Sequence, residues 1–225
     1  MTPVRIDLHV HSTHSPDGRS SVAELAAGLS AKGLAGFALT DHNSTSGHAA
    51  LRRLGSEQPG RLVLPGVEVS TRDGHLLVYG VDQPAPPGRP LAETVEWAIA
   101  HGGEAVVAHP FRRPHGAGRH LAPDVRLRAV EAVNGHSSAT VNARGAELAR
   151  ARSLPTTGGS DAHVARELGR AVTIFPDGTR TVDDLLEALR QGKVVGEGSS
   201  LGRLEWLRWG AQAALDRLRR GLRSV

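Results

Sequence analysis

Short apolar runs alternate along this chain with longer segments in which apolar residues recur at helical spacing. The apolar runs are rich in branched residues and predict strands. We place these strands at 4–10, 35–40, 62–69, 75–81, 104–109, 128–133, 155–160 and 171–175. Helical spacing together with capping residues predicts helices. We place these helices at 21–33, 45–54, 91–101, 139–152 and 181–191.

The order of these elements predicts the fold class. Strands that alternate with helices over short links are typical of an α/β fold with parallel strands, and one hairpin is expected through 72–74. Polar residues cluster after strands rather than after helices, as in barrels whose chemistry lies at the carboxyl ends of the strands. A barrel brings more strand ends to one point than an open sheet does. We therefore expect a single barrel domain over 1–198.

The last segment, 199–225, differs from the rest of the chain in charge and pattern. It carries six arginines against two acidic residues, a surplus equal to the formal charge of +4 of the whole chain. Leucines recur there at helical spacing and predict a basic amphipathic helix. We expect this helix to pack on the barrel or on a second subunit of a homodimer. Contact with nucleic acid or an anionic membrane surface is the alternative.

Composition limits where the protein is expected in the cell and which ligand atoms can bind a metal. The chain has 225 residues, and no apolar run approaches the roughly 20 residues that span a bilayer. We expect neither a transmembrane segment nor a secretory signal. Cysteine is absent, which excludes disulfides and thiolate ligands and fits the expected location in the cytoplasm. Any metal must be bound by nitrogen and oxygen.

Histidines and carboxylates at the strand ends are the candidate metal ligands. His9 and His11 are two residues apart on a strand, so both imidazoles point to one side. Asp161 and His163 repeat this spacing after two glycines. Glu68 lies in an otherwise apolar strand, where a carboxylate is costly to bury unless it is paired. Structural histidines need not fall at several strand ends, so we predict a multinuclear metal site.

Three further segments extend this set. Asp17 precedes a glycine, His42 follows the second strand, and His109 ends the apolar run 105–108. Arg112 and Arg113 follow shortly after His109, and a guanidinium binds phosphate in bidentate fashion, so both are candidates for substrate binding. We expect His75 to pack beside the barrel rather than to act as a ligand.

These motifs, taken in order, resemble the PHP family (polymerase and histidinol phosphatase). The resemblance covers roughly 4–198 and rests on His-x-His, Asp-Gly, Thr-Asp-His, Gly-x-Glu, His-Pro, Glu-x-x-Asn and Gly-Ser-Asp-x-His. It implies a distorted (β/α)7 TIM-like barrel that hydrolyses phosphate esters with two or three divalent metals. Mixed imidazole and carboxylate ligands suit manganese, iron or zinc.

The resemblance also implies how the ligands divide. One metal would be bound by His9, His11, Glu68 and Asp161. A second would share Glu68 and add His109. A third would use Asp17, His42 and His163.

The strand that ends Glu131-Ala-Val-Asn134-Gly-His136 departs from the family pattern. Many members have a histidine or cysteine ligand after this strand. Asn134 lies closest to the expected position and is the ligand we favour, while His136, two residues on, is the alternative. An amide is a weaker ligand than an imidazole, so the second metal is expected to be looser or completed by water.

The expected reaction is attack on phosphorus by a hydroxide that bridges the metals, with Asp161 among the catalytic residues. His163 or His42 would position the leaving oxygen or relay a proton. The substrate would be a phosphomonoester or phosphodiester, either a small phosphorylated metabolite or a nucleotide or oligonucleotide.

Two other functions remain open. A metal-dependent amidohydrolase also has His-x-His after its first strand, but many members need a carboxylated lysine at a strand end. The chain has only Lys32 and Lys193, and neither lies at such a place. A non-catalytic regulatory domain would show lost ligands, and here at most one position is weak.

Overall fold

The computed structural model describes residues 3–202 and 205. Within this part of the chain, nine strands form one sheet. The strands are β1 (Val4–Val10), β2 (Gly36–Leu39), β3 (Leu62–Ser70), β4 (His75–Tyr79), β5 (Glu104–Val107), β6 (Ala129–Asn134), β7 (Thr156–Gly159), β8 (Ala171–Phe175) and β9 (Val195–Gly198). The α-helices are α1 (Val22–Gly28), α2 (His48–Glu57), α3 (Leu91–Ala100), α4 (Ala139–Ala151) and α5 (Val182–Arg190).

The sheet follows the order β7-β6-β5-β4-β3-β2-β1-β8-β9. Pairing is parallel from β1 to β3 and from β5 to β7. β4 is antiparallel to both β3 and β5, and β8 is antiparallel to both β1 and β9. Seven of the nine strands therefore share one direction, and β4 and β8 run against them.

The two ends of the sheet approach each other and nearly close a barrel. Val10 and Ala162 form an isolated parallel bridge between the end of β1 and the residues after β7. The amide of Gly158 donates to Thr173 Oγ1 at 2.9 Å, and the amide of Gly196 donates to Thr156 Oγ1 at 3.2 Å. These contacts bring the carboxyl ends of β1 and β7 together.

Apolar residues fill the barrel and the space between sheet and helices. One buried cluster joins the inner faces of the strands, among them Leu8, Leu64 and Val106, to Leu185 and Leu189 of α5. A second cluster joins β3–β6 to α3, and a third joins β1, β2 and β8 to α1 and α2. The interior is a packed core, so the polar site is confined to one end of the barrel.

The predicted barrel is confirmed, and so is the hairpin between β3 and β4. Each strand and helix predicted within 1–198 is present, with ends shifted by a few residues. The sheet differs from the predicted one in two respects. The strands are not all parallel, because β8 also reverses, and β9 was not predicted. Its sequence, Val-Gly-Glu-Gly, carries one exposed valine and two glycines, which gives no apolar alternation.

Helix starts agree with the capping patterns in the sequence. Ser21 accepts from the amide of Glu24 while the Glu24 carboxylate accepts from the amide of Ser21, and Thr181 and Asp184 repeat this arrangement. The first predicted helix is shorter than expected. It ends at Gly28, and the 3₁₀ turn that follows ends at Gly33, which has a φ of 65°.

Most of the predicted C-terminal helix, 199–225, lies outside the described residues.

None of the helices in 3–202 combines the length and the apolar character needed to cross a membrane.

Gly159 lies in the seam where β7 meets β1 and has no room for a side chain, which generates a stability prediction. A Cβ at this position would lie 2.3 Å from the Cβ of His9 and 2.8 Å from Glu131 Oε1. Gly159→Ala is therefore expected to lower the free energy of unfolding by about 2 kcal/mol or more, because backbone must move. Denaturant unfolding measures this change.

Gly28→Ala is the matched control, because its added Cβ finds only ordinary contacts at 3.7 Å and beyond. It should leave the free energy of unfolding within about 1 kcal/mol of the parent. Equal effects of the two substitutions would contradict close packing at the seam.

Candidate metal centre

The candidate ligands converge at the carboxyl ends of the parallel strands. His9 and His11 come from β1 and its end, His42 follows β2, and His109 follows β5. Asp161 and His163 follow β7. β4 runs in the opposite direction, so its first residue, His75, lies at this same end of the barrel. Fold topology thus gathers side chains that are far apart in sequence.

The Glu68 carboxylate lies at the centre and is 1% exposed. Its Oε2 is 3.1 Å from His9 Nε2, and its Oε1 is 3.0 Å from His109 Nε2. Two further imidazoles approach it, with His42 Nδ1 at 3.3 Å from Oε2 and His75 Nδ1 at 2.7 Å from Oε1. A fully buried carboxylate is thereby surrounded by nitrogen donors on both oxygens.

Asp161 faces the same imidazoles from the other side. Its Oδ1 is 3.3 Å from His11 Nε2 and 3.6 Å from His9 Nε2. His11 Nε2 is also 3.3 Å from Glu68 Oε2. Four potential ligand atoms, two from imidazoles and two from carboxylates, therefore enclose one small volume.

A second group lies toward the opening of the site. Asp17 Oδ2 is 3.0 Å from His163 Nε2 and 3.4 Å from His42 Nε2. His163 Nδ1 donates to the carbonyl oxygen of Asp161 at 2.7 Å, which directs Nε2 toward Asp17. Ligand atoms of these three residues and of His11 lie within 4.8 Å of one another.

Several of these atoms have no hydrogen bond with any described residue although they are fully buried. They are His9 Nε2, His11 Nε2, His42 Nδ1, Glu68 Oε2 and Asp161 Oδ1. Unsatisfied polar atoms are costly in a protein interior, and here they point at one another. Divalent cations that prefer imidazole and carboxylate ligands would satisfy all of them, so the residues fit a metal centre.

The charges of these residues also fit a metal centre. Burial alone would raise the pKa of Glu68, but His42 and His9 hold it well below the usual range, so the carboxylate is ionised. Burial opposes the imidazolium of His11, yet Asp161 and Glu68 outweigh it and raise the pKa of His11 to about 10. The cluster is short of positive charge, which protons or metal ions supply.

His109 differs from these imidazoles. Burial and the nearby guanidinium of Arg112 lower the pKa of His109 to about 3, so this ring is neutral, as a metal ligand must be.

Two of the ligands have a strained backbone conformation. His109 has a φ of 24° and Asp161 a φ of 58°, in the left-handed region that residues with a Cβ rarely adopt. The amide of Asp161 donates to the carbonyl of His9 at 2.8 Å, and that of His109 donates to Glu131 Oε2 at 2.7 Å. These hydrogen bonds fix conformations that aim both side chains into the site.

Glu131 orients His9 and was not assigned a role from the sequence. Its Oε1 accepts from His9 Nδ1 at 2.8 Å, which leaves Nε2 facing Glu68 and Asp161. A carboxylate behind an imidazole fixes the tautomer that can bind a metal. The register of β6 against β7 shifts between Glu131 and Val133, and this irregularity lets Glu131 and Asn134 both reach the site.

Asn134 lies at the site, but hydrogen bonds use both ends of its amide. Nδ2 donates to Glu131 Oε2 and to Asp161 Oδ2, each at 3.2 Å. Oδ1 accepts from the amide of His136 at 3.0 Å. The imidazole of His136 lies within ligand distance of Asp161 and His163, so this alternative also reaches the site.

The two arginines differ in position. Arg112 Nη1 donates to Asp161 Oδ2 at 2.5 Å and to Asn134 Oδ1 at 3.3 Å, so its guanidinium lies inside the centre. Arg113 is exposed and lines a pocket beside the centre.

His75 lies closer to the centre than expected, because its imidazole is buried and hydrogen-bonded to Glu68. The predicted hairpin already indicated that His75 and Glu68 share a face of the sheet. In that antiparallel pair Glu68 lies opposite Leu77, and His75 is two residues from Leu77, on the same face. His75 also stacks on His115 at 4.5 Å, which brings the loop after β5 over the site.

Comparison with known protein families and sequences agrees with this geometry. The family model described as PHP domain matches residues 7–85, and the one described as PHP-associated matches residues 139–194. An uncharacterized protein of Methanocaldococcus jannaschii is 27% identical over 118 residues, 48% of this chain and 68% of that protein. The phosphoribosyl 1,2-cyclic phosphate 1,2-diphosphodiesterase of Eggerthella lenta is 40% identical over 86 residues, 36% of this chain and 32% of that enzyme.

Solved structures share the fold at low sequence identity. A two-domain protein of Bacteroides vulgatus, described as containing a predicted PHP-like metal-dependent phosphoesterase, has a TM-score of 0.68 at 19% identity, over 92% of this chain and 68% of that one. An amidohydrolase of Chromobacterium violaceum with bound sulfate has a TM-score of 0.65 at 22% identity, over 82% and 96%. Endonuclease Q, in complex with a duplex carrying an abasic lesion, has a TM-score of 0.67 at 18% identity, over 88% and 60%.

Glu131→Gln tests the orienting role. The amide would place an N–H against His9 Nδ1 and favour the tautomer whose Nε2 is protonated and cannot bind metal. We expect metal affinity to fall about 10- to 100-fold, measured by competition with a chromophoric chelator.

Glu147→Gln is the control, since Glu147 is an exposed residue of α4. It should keep the parental affinity. Undiminished affinity in Glu131→Gln would show that the carboxylate does not set the His9 tautomer.

Proposed function

The chain belongs to the PHP domain family, and on that premise we propose that it is a metal-dependent hydrolase of phosphate esters. The observation that carries the proposal is the set of unsatisfied atoms around Glu68 and Asp161. These atoms belong to imidazoles and carboxylates, and they surround a buried volume. That volume opens toward His163, whose side chain is 19% exposed.

We assign the ligands in three groups that share members. The buried group is His9, His11, Glu68 and Asp161. Glu68 would be shared with a second group that contains His109, and the outer group is Asp17, His42 and His163. The distances around Glu68, Asp161 and Asp17 support this division. Manganese, iron or zinc would suit these donors, in two or three positions.

Asn134 is better explained as a positioning residue than as a ligand. The Asn134 side-chain amide donates to Asp161 Oδ2, and Arg112 donates to that same oxygen. The other carboxylate oxygen, Asp161 Oδ1, is therefore left to face the imidazoles. The guanidinium of Arg112 adds positive charge at this corner. This arrangement favours two metal ions over three, with His136 as the alternative ligand if a third ion binds.

Bound divalent ions lower the pKa of water and neutralise charge that develops on a phosphoryl group. The residues of the chain supply the rest. Burial lowers the pKa of His42, which favours the neutral imidazole that a metal ligand requires. His163 lies at the opening, 3.0 Å from Asp17, where a leaving oxygen would depart. We assign proton transfer or positioning of the leaving group to this pair, and the orientation of the reacting centre to Asp161.

The substrate class is a phosphomonoester or phosphodiester, in a nucleotide, an oligonucleotide or a small metabolite. Two relatives support phosphodiester chemistry by their names, a cyclic phosphate diphosphodiesterase and an endonuclease with DNA at its active site. The chain spans about a third of the first relative and 60% of the second, so their substrates guide the choice of assays only.

An amidohydrolase activity has less support. Lys32 is exposed and donates to the carbonyl of Arg166, and Lys193 is exposed between α5 and β9. Neither approaches the site, so neither can supply a bridging carbamate, and Glu68 lies between the imidazoles instead. A non-catalytic role would require lost ligands, and Asn134 is the single weak position.

The experiment uses the full-length protein, stripped of metal and then reconstituted with Mn²⁺, Fe²⁺ or Zn²⁺. p-Nitrophenyl phosphate, bis-p-nitrophenyl phosphate and a p-nitroanilide amide are the substrates. We expect phosphate ester hydrolysis that depends on added metal. Activity on the amide alone, or no activity with any metal, would overturn the proposal.

Asp161→Asn provides the matching variant, because an amide replaces a charged ligand atom in the buried group. We expect kcat/KM to fall about 100-fold or more, together with a loss of bound metal by elemental analysis. Asp177→Asn, at an exposed loop residue, should keep both. Full activity in Asp161→Asn would exclude Asp161 from the centre.

A further inference from the structure

The chain continues past β9 along one side of the metal centre. β9 ends at Gly198, which lies opposite Ala171 at the start of β8, and β8 begins at the end of the barrel where the candidate ligands lie. Residues 199–202 therefore leave the sheet beside the metal centre. Leu201 is buried, so this segment is packed against the barrel. We call residues 199–202 the C-terminal strap.

Backbone hydrogen bonds fix the C-terminal strap at two points. The amide of Ser199 donates to the carbonyl of Arg170 at 2.9 Å, and the amide of Leu201 donates to the carbonyl of Ser137 at 3.0 Å. Just beyond, Glu205 pairs with Arg170 at 3.1 Å. The C-terminal strap is thereby attached both to the residue before β8 and to the turn that follows β6.

That turn, at 134–137, carries residues of the metal centre. Asn134 Nδ2 donates to Asp161 Oδ2 at 3.2 Å, and Oδ1 of the same amide accepts from Ser137 Oγ at 3.2 Å. His136, the alternative ligand, lies within the turn. The hydrogen bond from the C-terminal strap to Ser137 therefore reaches the group of residues that orients Asp161.

Asn142 of α4 joins the C-terminal strap to Asn134. Its Oδ1 accepts from the backbone amide of Asn134 at 3.2 Å, and its Nδ2 donates to the backbone carbonyl of Asn134 at 3.1 Å. Nδ2 also donates to Ser200 Oγ at 3.1 Å. β5 pairs with β6 at Ala129 and Val130, near the start of β6, so the buried amide of Asn134 uses this side chain in place of a neighbouring strand.

These contacts form a continuous path from the C-terminal strap to a metal ligand. Ser200 bonds to Asn142, which holds the backbone of Asn134, and the Asn134 side chain in turn donates to Asp161. Asp161 has a φ of 58°, so its position depends on the bonds around it rather than on local preference. A shift of the Asn134 backbone would therefore redirect the Asp161 carboxylate, and a misdirected ligand binds metal more weakly.

We propose that Asn142 and the C-terminal strap are positioning elements of the metal centre, which act through Asn134 on Asp161. The residues that determine metal affinity then extend past residue 198, so the expected barrel of 1–198 does not contain all of them. The proposal rests on the metal centre proposed above. It does not require the hydrolase activity, because it concerns how tightly the folded protein binds a divalent ion.

The affinity of full-length variants for Co²⁺, measured by competition with a chromophoric chelator, tests this proposal. Asn142→Ala removes both bonds to the Asn134 backbone and the bond to Ser200, and should weaken Co²⁺ binding about tenfold. Ser200→Ala removes one bond at the C-terminal strap and should weaken binding about threefold. The double variant should bind no more weakly than Asn142→Ala, because Ser200 acts through Asn142.

Conservative and distant substitutions are the controls. Ser200→Thr keeps the hydroxyl and should keep the parental affinity. Glu147→Ala, at an exposed residue of α4, and Ser56→Ala, at an exposed residue of α2, should also bind Co²⁺ as the parent does.

A role of these contacts in stability alone predicts a different result. The two variants would lower the free energy of unfolding of the metal-free protein, but the folded variants would keep the parental affinity and the parental visible absorption of bound Co²⁺, which responds to ligand geometry. That result, or losses that multiply in the double variant, would overturn the proposal while the metal centre stands. A parent that binds no Co²⁺ would overturn the metal centre itself and this proposal with it.

Discussion

The arrangement of this end of the barrel depends on one buried carboxylate. Glu68 is fully enclosed, yet its pKa is held low and both oxygens face nitrogen atoms. Removing a charge from water costs several kcal/mol unless close opposite charges compensate. The imidazoles around Glu68 supply only part of that compensation, since His109 is neutral and several facing atoms make no hydrogen bond. A centre built in this way is suited to bind cations.

The barrel topology places the histidines and Asp161 around Glu68. Parallel strands end at one rim, and the reversed strand β4 begins at that rim, so His75 joins residues that follow other strands. Glycines at the seam let β7 approach β1 closely enough for Asp161 to face His9 and His11. Unfavourable φ angles at His109 and Asp161 are maintained by this framework rather than by local preference.

Much of this could be predicted from the sequence, for a physical reason. Strand ends carry an apolar run followed by a polar residue, so His42, His109 and Asp161 were visible as candidates and lie where the barrel predicts. Glu131 and Asn134 were harder to interpret, because a shift in strand register decides which side chains face the site, and alternation alone does not show it. Strand β9 was missed because it has no apolar pattern.

Metal stoichiometry tests the central claim most directly, that Glu68 organises a centre of divalent ions. The full-length protein and Glu68→Gln would be reconstituted with Mn²⁺, desalted and measured by elemental analysis, with Glu57→Gln, an exposed residue of α2, as control. The account predicts roughly two ions per chain or more in the parent and the control, and fewer than about one in Glu68→Gln. A parent without metal, or a Glu68→Gln variant with the full complement, would contradict it.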